Sequence, residues 1–243
     1  MPRFFYDGDG QALSSLGIRG DDARHIARSL RMAVGDEITV CDTRGVEYRC
    51  RLSLIRDDLC TAEVISSRQG TTESPAELTL YMAYPKGDKL ETVVQKAVEL
   101  GASHIIPFAS SRCIRRPKAD REEKQTARLQ RIAEEAAKQC GRSRLPTVSQ
   151  PVPFSSVLKP SAADLRLFCY EGSGTRSLRR VLEEHPHPAG IEVVVGPEGG
   201  FSEEEAGAAA GAGFVPVNLG PRILRCETAP AYVLSVISAF LEL

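Results

Sequence analysis

The sequence lacks a long apolar run and has almost no net charge. None of its 243 residues lies in a stretch that approaches the roughly 20 apolar positions of a membrane-spanning helix, and no apolar signal segment follows Arg3. Lysine and arginine number 31 against 32 acids, so the chain is not basic overall, as many nucleic-acid-binding proteins are. The hydrophobic fraction of 42% is ordinary for a folded domain. We therefore expect a cytoplasmic globular protein without membrane contact.

The seven cysteines are not spaced for disulfide pairing or metal binding. They stand at positions 41, 50, 60, 113, 140, 169 and 226. Their number is odd, no two form a Cys-x-x-Cys pair and no histidine cluster accompanies them, so neither a disulfide framework nor a metal site is predicted. Most are expected to be small buried apolar side chains. Cys226, between Arg225 and Glu227, is the one candidate for an activated thiol.

Two glycine-containing segments near the C-terminus carry the strongest functional signal. The sequence GPEGG at 196–200 follows an apolar run, and LGPRILRCETA at 219–229 precedes another. The first segment matches neither the phosphate-binding loop nor the Gly-x-Gly-x-x-Gly dinucleotide fingerprint, which disfavours phosphate cradling. Glycine lets backbone approach a ligand closely, so the two segments predict one small-molecule site.

The pattern of apolar and turn residues changes near residue 70. Before it, short strands predict a small β-barrel over 1–70, and the polar segment 66–74 is typical of a linker. These first strands are predicted at 37–41, 48–54 and 60–65. From 74 to 243, strands alternate with helices, which predicts an α/β domain with a parallel sheet and ligand loops at the carboxyl ends of its strands. The strands of this second domain are predicted at 78–83, 104–108, 165–170, 192–195 and 215–219.

Capping residues predict where three helices of the second domain begin. Asp88 and Ser202 each precede a glutamate three residues further on, which is the spacing of a capping box. Thr228 is expected to cap the closing helix.

Positive charge is concentrated in two places despite the balanced total. Between residues 112 and 144, eleven basic residues stand against five acids, and much of this stretch is predicted to be one helix over 120–140. A second helix predicted over 22–32 places Arg24, Arg28 and Arg31 on one face, without acids at pairing distance. Such faces fit contacts with RNA phosphates, and ordinary solvated helix surfaces are the alternative.

These motifs, in this order, resemble those of the SPOUT-class RNA methyltransferases, and within them the bacterial 16S rRNA uracil-N3 methyltransferases. Shorter matches accompany the two glycine segments: MPRFF at 1–5, KGDK at 86–89, ELGA at 99–102 and EAAKQCGR at 135–142. The resemblance implies a SPOUT-type parallel sheet with a deep trefoil knot at 74–243 and a PUA-like RNA-binding β-barrel at 1–70. It also implies a homodimer.

The activity implied by the resemblance is S-adenosyl-L-methionine-dependent methylation of N3 of a uridine in 16S rRNA of the small ribosomal subunit, at position 1498. Two alternatives stay open. The chain could be a SPOUT methyltransferase that acts on another rRNA or tRNA site, or a catalytically inactive RNA-binding protein. The intact glycine segments disfavour the inactive protein.

The resemblance also implies three groups of site residues. Cofactor contacts are expected from Glu171, Gly172, Gly196, Pro197, Glu198, Gly199, Gly200, Leu219, Gly220, Leu224 and Arg225. RNA contacts are expected from Arg3, Arg24, Arg28, Arg31, Lys86, Arg112, Arg115, Arg116 and Arg142. For catalysis, Arg222 and Arg225 would stabilise a uracil anion, and Glu198 or Glu227 would accept the N3 proton. Alternatively, Glu227 is only an acid at a helix N-terminus, and Glu198 only binds ribose hydroxyls.

Overall fold

The computed structural model describes residues 1–8, 14–114 and 119–243, without the side chains of residues 119 and 120. The chain divides into two compact units. The N-terminal unit comprises residues 1–73 together with 137–145, and the C-terminal unit comprises residues 74–136 and 146–243.

The N-terminal unit is built on a five-stranded sheet. Its strands are β1 (Arg3–Phe5), β2 (Ser15–Arg19), β3 (Glu37–Cys41), β4 (Val46–Ile55) and β5 (Leu59–Gln69). They lie in the order β1-β3-β4-β5-β2, and every pair is antiparallel except β1 with β3. Alternate side chains such as Ile38, Val40 and Leu52 point into one buried core. The three predicted strands are confirmed, but β5 continues to Gln69, so the predicted linker begins too early.

The predicted helix over 22–32 is wrong in its extent. Helix α1 covers only Gly20–Arg24, one π-helical turn follows at His25–Ser29, and Arg31 has a φ of 51° in the left-handed region. The arginines also have acidic partners, contrary to the prediction. Arg24 pairs with Asp21 three residues earlier, and Arg28 pairs with Asp57 at the turn between β4 and β5.

The C-terminal unit contains an eight-stranded sheet in which all pairs are parallel. Its strands are β6 (Glu77–Ala83), β7 (His104–Ala109), β8 (Thr147–Val148), β9 (Val152–Pro153), β10 (Leu165–Cys169), β11 (Arg176–Ser177), β12 (Gly190–Val195) and β13 (Val215–Asn218). The order is β11-β13-β10-β12-β6-β7-β8, with β9 also on β7. The predicted parallel α/β sheet is thereby confirmed.

The helices are α2 (Lys89–Glu99), α3 (Ala119–Cys140), α4 (Phe154–Val157), α5 (Leu178–Glu184), α6 (Glu203–Gly211) and α7 (Thr228–Glu242). In α2, a stripe of apolar residues spaced three and four apart is buried, as its periodicity predicts. The long predicted helix at 120–140 is confirmed as α3, which ends before Gly141 with a φ of 83°.

Two of the three predicted cap positions are confirmed, and one of the two predicted capping boxes forms. Ser202 Oγ accepts from the Glu205 N–H at 3.1 Å, and Glu205 Oε2 accepts from the Ser202 N–H at 3.0 Å. Asp88 is confirmed as the N-cap of α2, but its capping box is wrong: the Asp88 side chain makes no cap hydrogen bond, and Glu91 pairs with Arg128 at 2.8 Å. The cap at Thr228 is also wrong: Thr228 is already the first helical residue, and the N-cap position belongs to Glu227.

The strand order brings three loops to one edge of the sheet. Strands β13, β10 and β12 are neighbours and parallel, so the segments that follow them leave the sheet side by side. These segments are 170–175, 196–202 and 219–227. A crevice outside the carboxyl ends of such strands is the usual ligand position in open α/β sheets.

Candidate functional site

A cavity of about 530 Å³ lies between these three loops, within the range of small-molecule sites. It is lined by residues 169–171, 195–198, 200–201, 218–227 and 229, together with Lys89 from the start of α2. Apolar side chains such as Val195, Phe201 and Leu224 alternate in this lining with charged ones. The composition fits an amphipathic ligand.

The structure brings most of the predicted site residues together. All four catalytic candidates, Arg222, Arg225, Glu198 and Glu227, line the cavity. The predicted cofactor residues also line it, except Gly172 and Gly199. A Cβ on Gly172 would lie 2.4 Å from the Tyr170 ring, so the absence of a side chain at Gly172 leaves room for this ring.

Gly199 faces Arg112 and not the cavity. A Cβ at Gly199 would lie 3.3 Å from the Cβ of Arg112, and the Gly199 carbonyl accepts a hydrogen bond from Arg112 Nη1 at 2.9 Å. The predicted RNA-binding residue Arg112 therefore holds the outer side of the GPEGG loop.

Two other glycines give this loop its shape. Gly200 has a φ of 61°, and its N–H donates to the Pro197 carbonyl at 2.9 Å, which closes a tight turn. A Cβ on Gly196 would lie 2.9 Å from the ring of Phe201. That ring is buried against Phe168, with centroids 4.2 Å apart, so the end of the loop is fixed by the aromatic core.

The third loop presents backbone and two arginines to the cavity. Gly220 has a φ of 107° and open space where a Cβ would stand, so a ligand can approach its backbone. Arg222 and Arg225 are exposed at the cavity mouth, and no ion pair is found for either within the described chain. The Arg225 carbonyl accepts from the N–H groups of Thr228 and Ala229 at 2.8 and 2.9 Å, which anchors the loop to α7.

A lysine that the sequence reasoning did not assign lies between the two glutamates. Lys89 Nζ is 3.0 Å from Glu198 Oε1 and 3.2 Å from Glu227 Oε2. It is also 3.8 Å from the sulfur of Cys226, and the Cys226 thiol donates to Glu227 Oε2 at 3.2 Å. The KGDK match at 86–89 contains Lys89, but the resemblance predicts only Lys86 as a site residue.

These contacts shift the pKa values of the cluster in opposite directions. Burial alone would raise the pKa of Glu198, but the N–H of Lys86, at 3.0 Å, and the Lys89 ammonium lower it to about 2. Hydrogen bonds from its own N–H and the Cys226 thiol, with the charge of Lys89, lower the pKa of Glu227. Burial and the adjacent carboxylates raise the pKa of Cys226 to about 12, so this thiol stays protonated and is not activated.

Two predicted RNA-binding arginines have partners inside the N-terminal unit. Arg3 Nη1 lies 2.7 Å from Glu47 Oε1. Arg142 is only 3% exposed and pairs with Glu73 at 2.6 Å. A phosphate contact by either guanidinium would first have to displace a carboxylate.

The other predicted RNA-binding residues are exposed where they are described. Arg24, Arg28 and Arg31 are at the surface of the N-terminal unit, and Lys86 and Arg112 are at the surface of the C-terminal unit. Arg115 and Arg116 lie outside the described residues.

The described helices include none that is long and apolar enough to cross a membrane. Across the same residues, no group of three His, Cys, Asp or Glu side chains is arranged to hold a metal ion.

Known proteins are similar to this chain in sequence and architecture. Residues 72–238 match an RNA methyltransferase domain, and residues 18–65 match an RNA methyltransferase PUA domain. The ribosomal RNA small subunit methyltransferase E of Bacillus subtilis (strain 168) is 34% identical over 251 residues, covering 100% of this chain and 98% of its own.

Two solved structures are similar over almost the full chain. A ribosomal RNA small subunit methyltransferase E from Neisseria gonorrhoeae bound to S-adenosyl methionine has a TM-score of 0.88 at 31% identity, covering 98% of this chain and 97% of its own. A methyltransferase from Legionella pneumophila in complex with the bound cofactor SAM has a TM-score of 0.87 at 30% identity, covering 98% and 96%. These similarities confirm the resemblance seen in the sequence: the chain belongs to the RNA methyltransferase family that carries a PUA domain, together with ribosomal RNA small subunit methyltransferase E.

Proposed function

We propose that the chain is an S-adenosyl-L-methionine-dependent rRNA methyltransferase that modifies N3 of a uridine in 16S rRNA of the small ribosomal subunit, at position 1498. The observation that carries the proposal is the cavity at the carboxyl ends of β10, β12 and β13, in a chain whose similar solved structures hold this cofactor.

The residues around the cavity fit this cofactor. The backbone at Gly220 is open to close approach, Gly196 and Gly200 line the cavity, and Leu219 and Leu224 offer apolar contact for an adenine ring. The carboxylates of Glu171, Glu198 and Glu227 can accept hydrogen bonds from hydroxyl or ammonium groups. When bound, the cofactor supplies an electrophilic methyl group.

Residues of the chain have to allow the N3 proton to leave and to stabilise the negative charge that develops on the uracil. Forming the N3–C bond breaks the C–S bond, and the N3 proton has to leave to a carboxylate or to water. Arg222 and Arg225 carry positive charge at the cavity mouth, where they would stabilise the uracil anion more than neutral uracil.

A strong general base is less favoured by the geometry. Glu198 and Glu227 both bind the Lys89 ammonium, which lowers their pKa values and makes them weak proton acceptors. Electrostatic stabilisation of the anion by the arginines therefore carries more of the proposed mechanism than proton abstraction by a glutamate does.

The finer architectural features belong to the same proposal. They are the deep trefoil knot, the domain division at 1–70 and 74–243, a homodimer, and a location in the cytoplasm. Ile223, 84% exposed beside the cavity, and the exposed Tyr232 and Phe240 of α7 are apolar groups that a second copy would cover.

Methylation of small ribosomal subunits from a strain that lacks the gene would test the proposal. With purified protein and S-adenosyl-L-methionine, nucleoside mass spectrometry should detect 3-methyluridine, and mapping should place it in 16S rRNA. Methyl groups at another rRNA or tRNA position would favour a different SPOUT specificity. RNA binding without cofactor binding would favour an inactive RNA-binding protein.

A further inference from the structure

The ion cluster formed by Lys89, Glu198 and Glu227 has a feature that cofactor contact alone does not explain. Lys89 is the first residue of α2, a position where the helix dipole disfavours a positive charge. Its ammonium nevertheless lies there, within 3.2 Å of two carboxylates from two different loops. The contacts to the loop after β12 and to the start of α7 therefore account for this lysine.

We propose that Lys89 is a positioning residue of the methyl-transfer site, whose ammonium holds Glu198 and Glu227 side by side so that the three groups present one net negative charge to the cavity and favour the cationic cofactor over its spent form. This inference rests on the proposed function. Methyl transfer leaves the electron pair of the broken C–S bond on sulfur, so S-adenosylhomocysteine has one positive charge less than S-adenosyl-L-methionine.

Other charged side chains also face the cavity, and they are the same in wild type and in every variant below, so a change in cofactor preference reports the cluster alone. The other titratable side chains that line the cavity are Cys169, Tyr170, Glu171, Arg222, Arg225 and Cys226. The Cys226 thiol donates to Glu227 and remains neutral, because burial raises its pKa to about 12. The Lys86 N–H adds a neutral donor to Glu198 at 3.0 Å.

Removing the ammonium should make the cluster sensitive to pH. Two carboxylates that share a site without a cation between them repel, and the pKa of one of them rises. In wild type both carboxylates stay ionised well below neutral pH, since the pKa of Glu198 is about 2 and that of Glu227 is lowered. Preference for the cationic cofactor should therefore be constant from pH 5 to 8 in wild type and should change with pH after Lys89→Met.

The experiment measures the affinities of the full chain for S-adenosyl-L-methionine and S-adenosylhomocysteine by calorimetry between pH 5 and 8. For Lys89→Met, the ratio of the two affinities should resemble wild type at pH 5 and rise about tenfold above it by pH 8, the scale of one unit charge acting across roughly 10 Å at an effective dielectric constant near 20. Lys89→Arg should keep the flat wild-type profile. Lys96→Met, which removes an exposed lysine of the same helix paired with Glu99, is the matched control.

A folded Lys89→Met protein with a flat profile and the wild-type ratio would overturn the inference while leaving the proposed function intact. If Lys89→Met does not fold, Glu227→Gln decides: it makes the cluster neutral, so the ratio should fall about tenfold at every pH, again the scale of one unit charge at roughly 10 Å. An unchanged ratio there would equally overturn the inference. Wild-type protein that binds no S-adenosyl-L-methionine would remove the proposed function first.

Discussion

Gly196 lies directly against the ring of Phe201, so that a Cβ at this glycine would be 2.9 Å from Phe201 Cε2. Real Cβ atoms are not found so close to ring carbons, and the ring cannot retreat because it is buried beside Phe168 and Phe108. The backbone can therefore follow this course after β12 only because residue 196 has no side chain.

Gly196→Ala should therefore weaken cofactor binding. The methyl group has to push Phe201 or shift the 196–200 loop, and overpacking of this kind costs about 1–3 kcal/mol, part of which should appear as loss of affinity for S-adenosyl-L-methionine. Calorimetric titration and thermal unfolding measure the two effects. Gly207→Ala is the control, because it lies in α6 with nothing within 4 Å of its Cβ position, and it should leave affinity unchanged while raising stability slightly.

Loss of an arginine at the cavity mouth should slow the chemical step. We expect Arg222→Ala or Arg225→Ala to reduce the single-turnover methylation rate by about 10²–10³, the cost of removing one donor that stabilises a developing anion, with a much smaller change in cofactor affinity. Arg179→Ala on α5, where the arginine pairs with Glu183 on the surface, is the matched control. Near-normal rates in both cavity variants would exclude these arginines from the mechanism.

The arginines of the first helical segment should contribute to RNA affinity. Replacing Arg24, Arg28 and Arg31 together by alanine should weaken 16S rRNA binding and reduce its salt dependence, by a slope of at most about 3. Two of the three already bind Asp21 and Asp57, so the change should be smaller than for three free cations. Affinity for S-adenosyl-L-methionine should not change. Arg49→Ala with Arg51→Ala, on β4, gives a comparison in which both arginines pair with Glu37.

Acid should destabilise the protein through the ion pair of Glu73 with the buried Arg142. Burial acts to raise the pKa of Glu73, but Arg142 and the N–H groups of Ser143 and Arg144 lower it below its ordinary value. A lowered carboxylate pKa gives stability that is present above the unfolded pKa of about 4.5 and is lost as pH falls through the folded value. Urea unfolding between pH 3 and 7 should show this acid loss in wild type.

Glu73→Gln tests the origin of that loss. Removing one partner of a buried pair leaves an uncompensated charge, so the variant should lose about 3–5 kcal/mol at pH 7 and depend less on pH below 5. Glu99→Gln, at an exposed pair with Lys96, should retain the wild-type profile. The same acid dependence in Glu73→Gln as in wild type would assign the effect to another carboxylate.

The parallel sheet and its ligand edge could be predicted from local patterns. Strands such as β12 and β6 are predominantly apolar, and the glycines after β12 mark a turn at a carboxyl end. Most of the cavity lining can be predicted from these two features. The loops after neighbouring parallel strands lie side by side, so predicting them requires no knowledge of long-range side-chain contacts.

Except for the pair of Arg24 with Asp21, three residues apart, the contacts that the sequence does not predict depend on distant partners. Lys89 meets glutamates more than a hundred positions away, and Arg28 finds Asp57 across a turn, which no local spacing reveals. Gly199 was assigned to the cofactor because it belongs to a glycine-rich loop, yet a valine there would meet Arg112. Periodicity correctly places Ile26 in the core, but it does not reveal that the helical turns end at Ser29 and that Arg31 is left-handed.

Residues 137–145 belong to the same compact unit as residues 1–73, so this unit cannot be completed when its first 73 residues have been synthesised. Arg142 supplies the cation for Glu73, and the Ser143 side chain occupies the space that a Cβ on Gly70 would fill. While the ribosome is still making the intervening 63 residues, 74–136, the emerging N-terminal unit has an unmatched carboxylate and an uncovered glycine. A gene fragment that stops at residue 73 would leave the same gap permanently, so an isolated N-terminal unit would have to include the later nine residues, 137–145, through a designed connection.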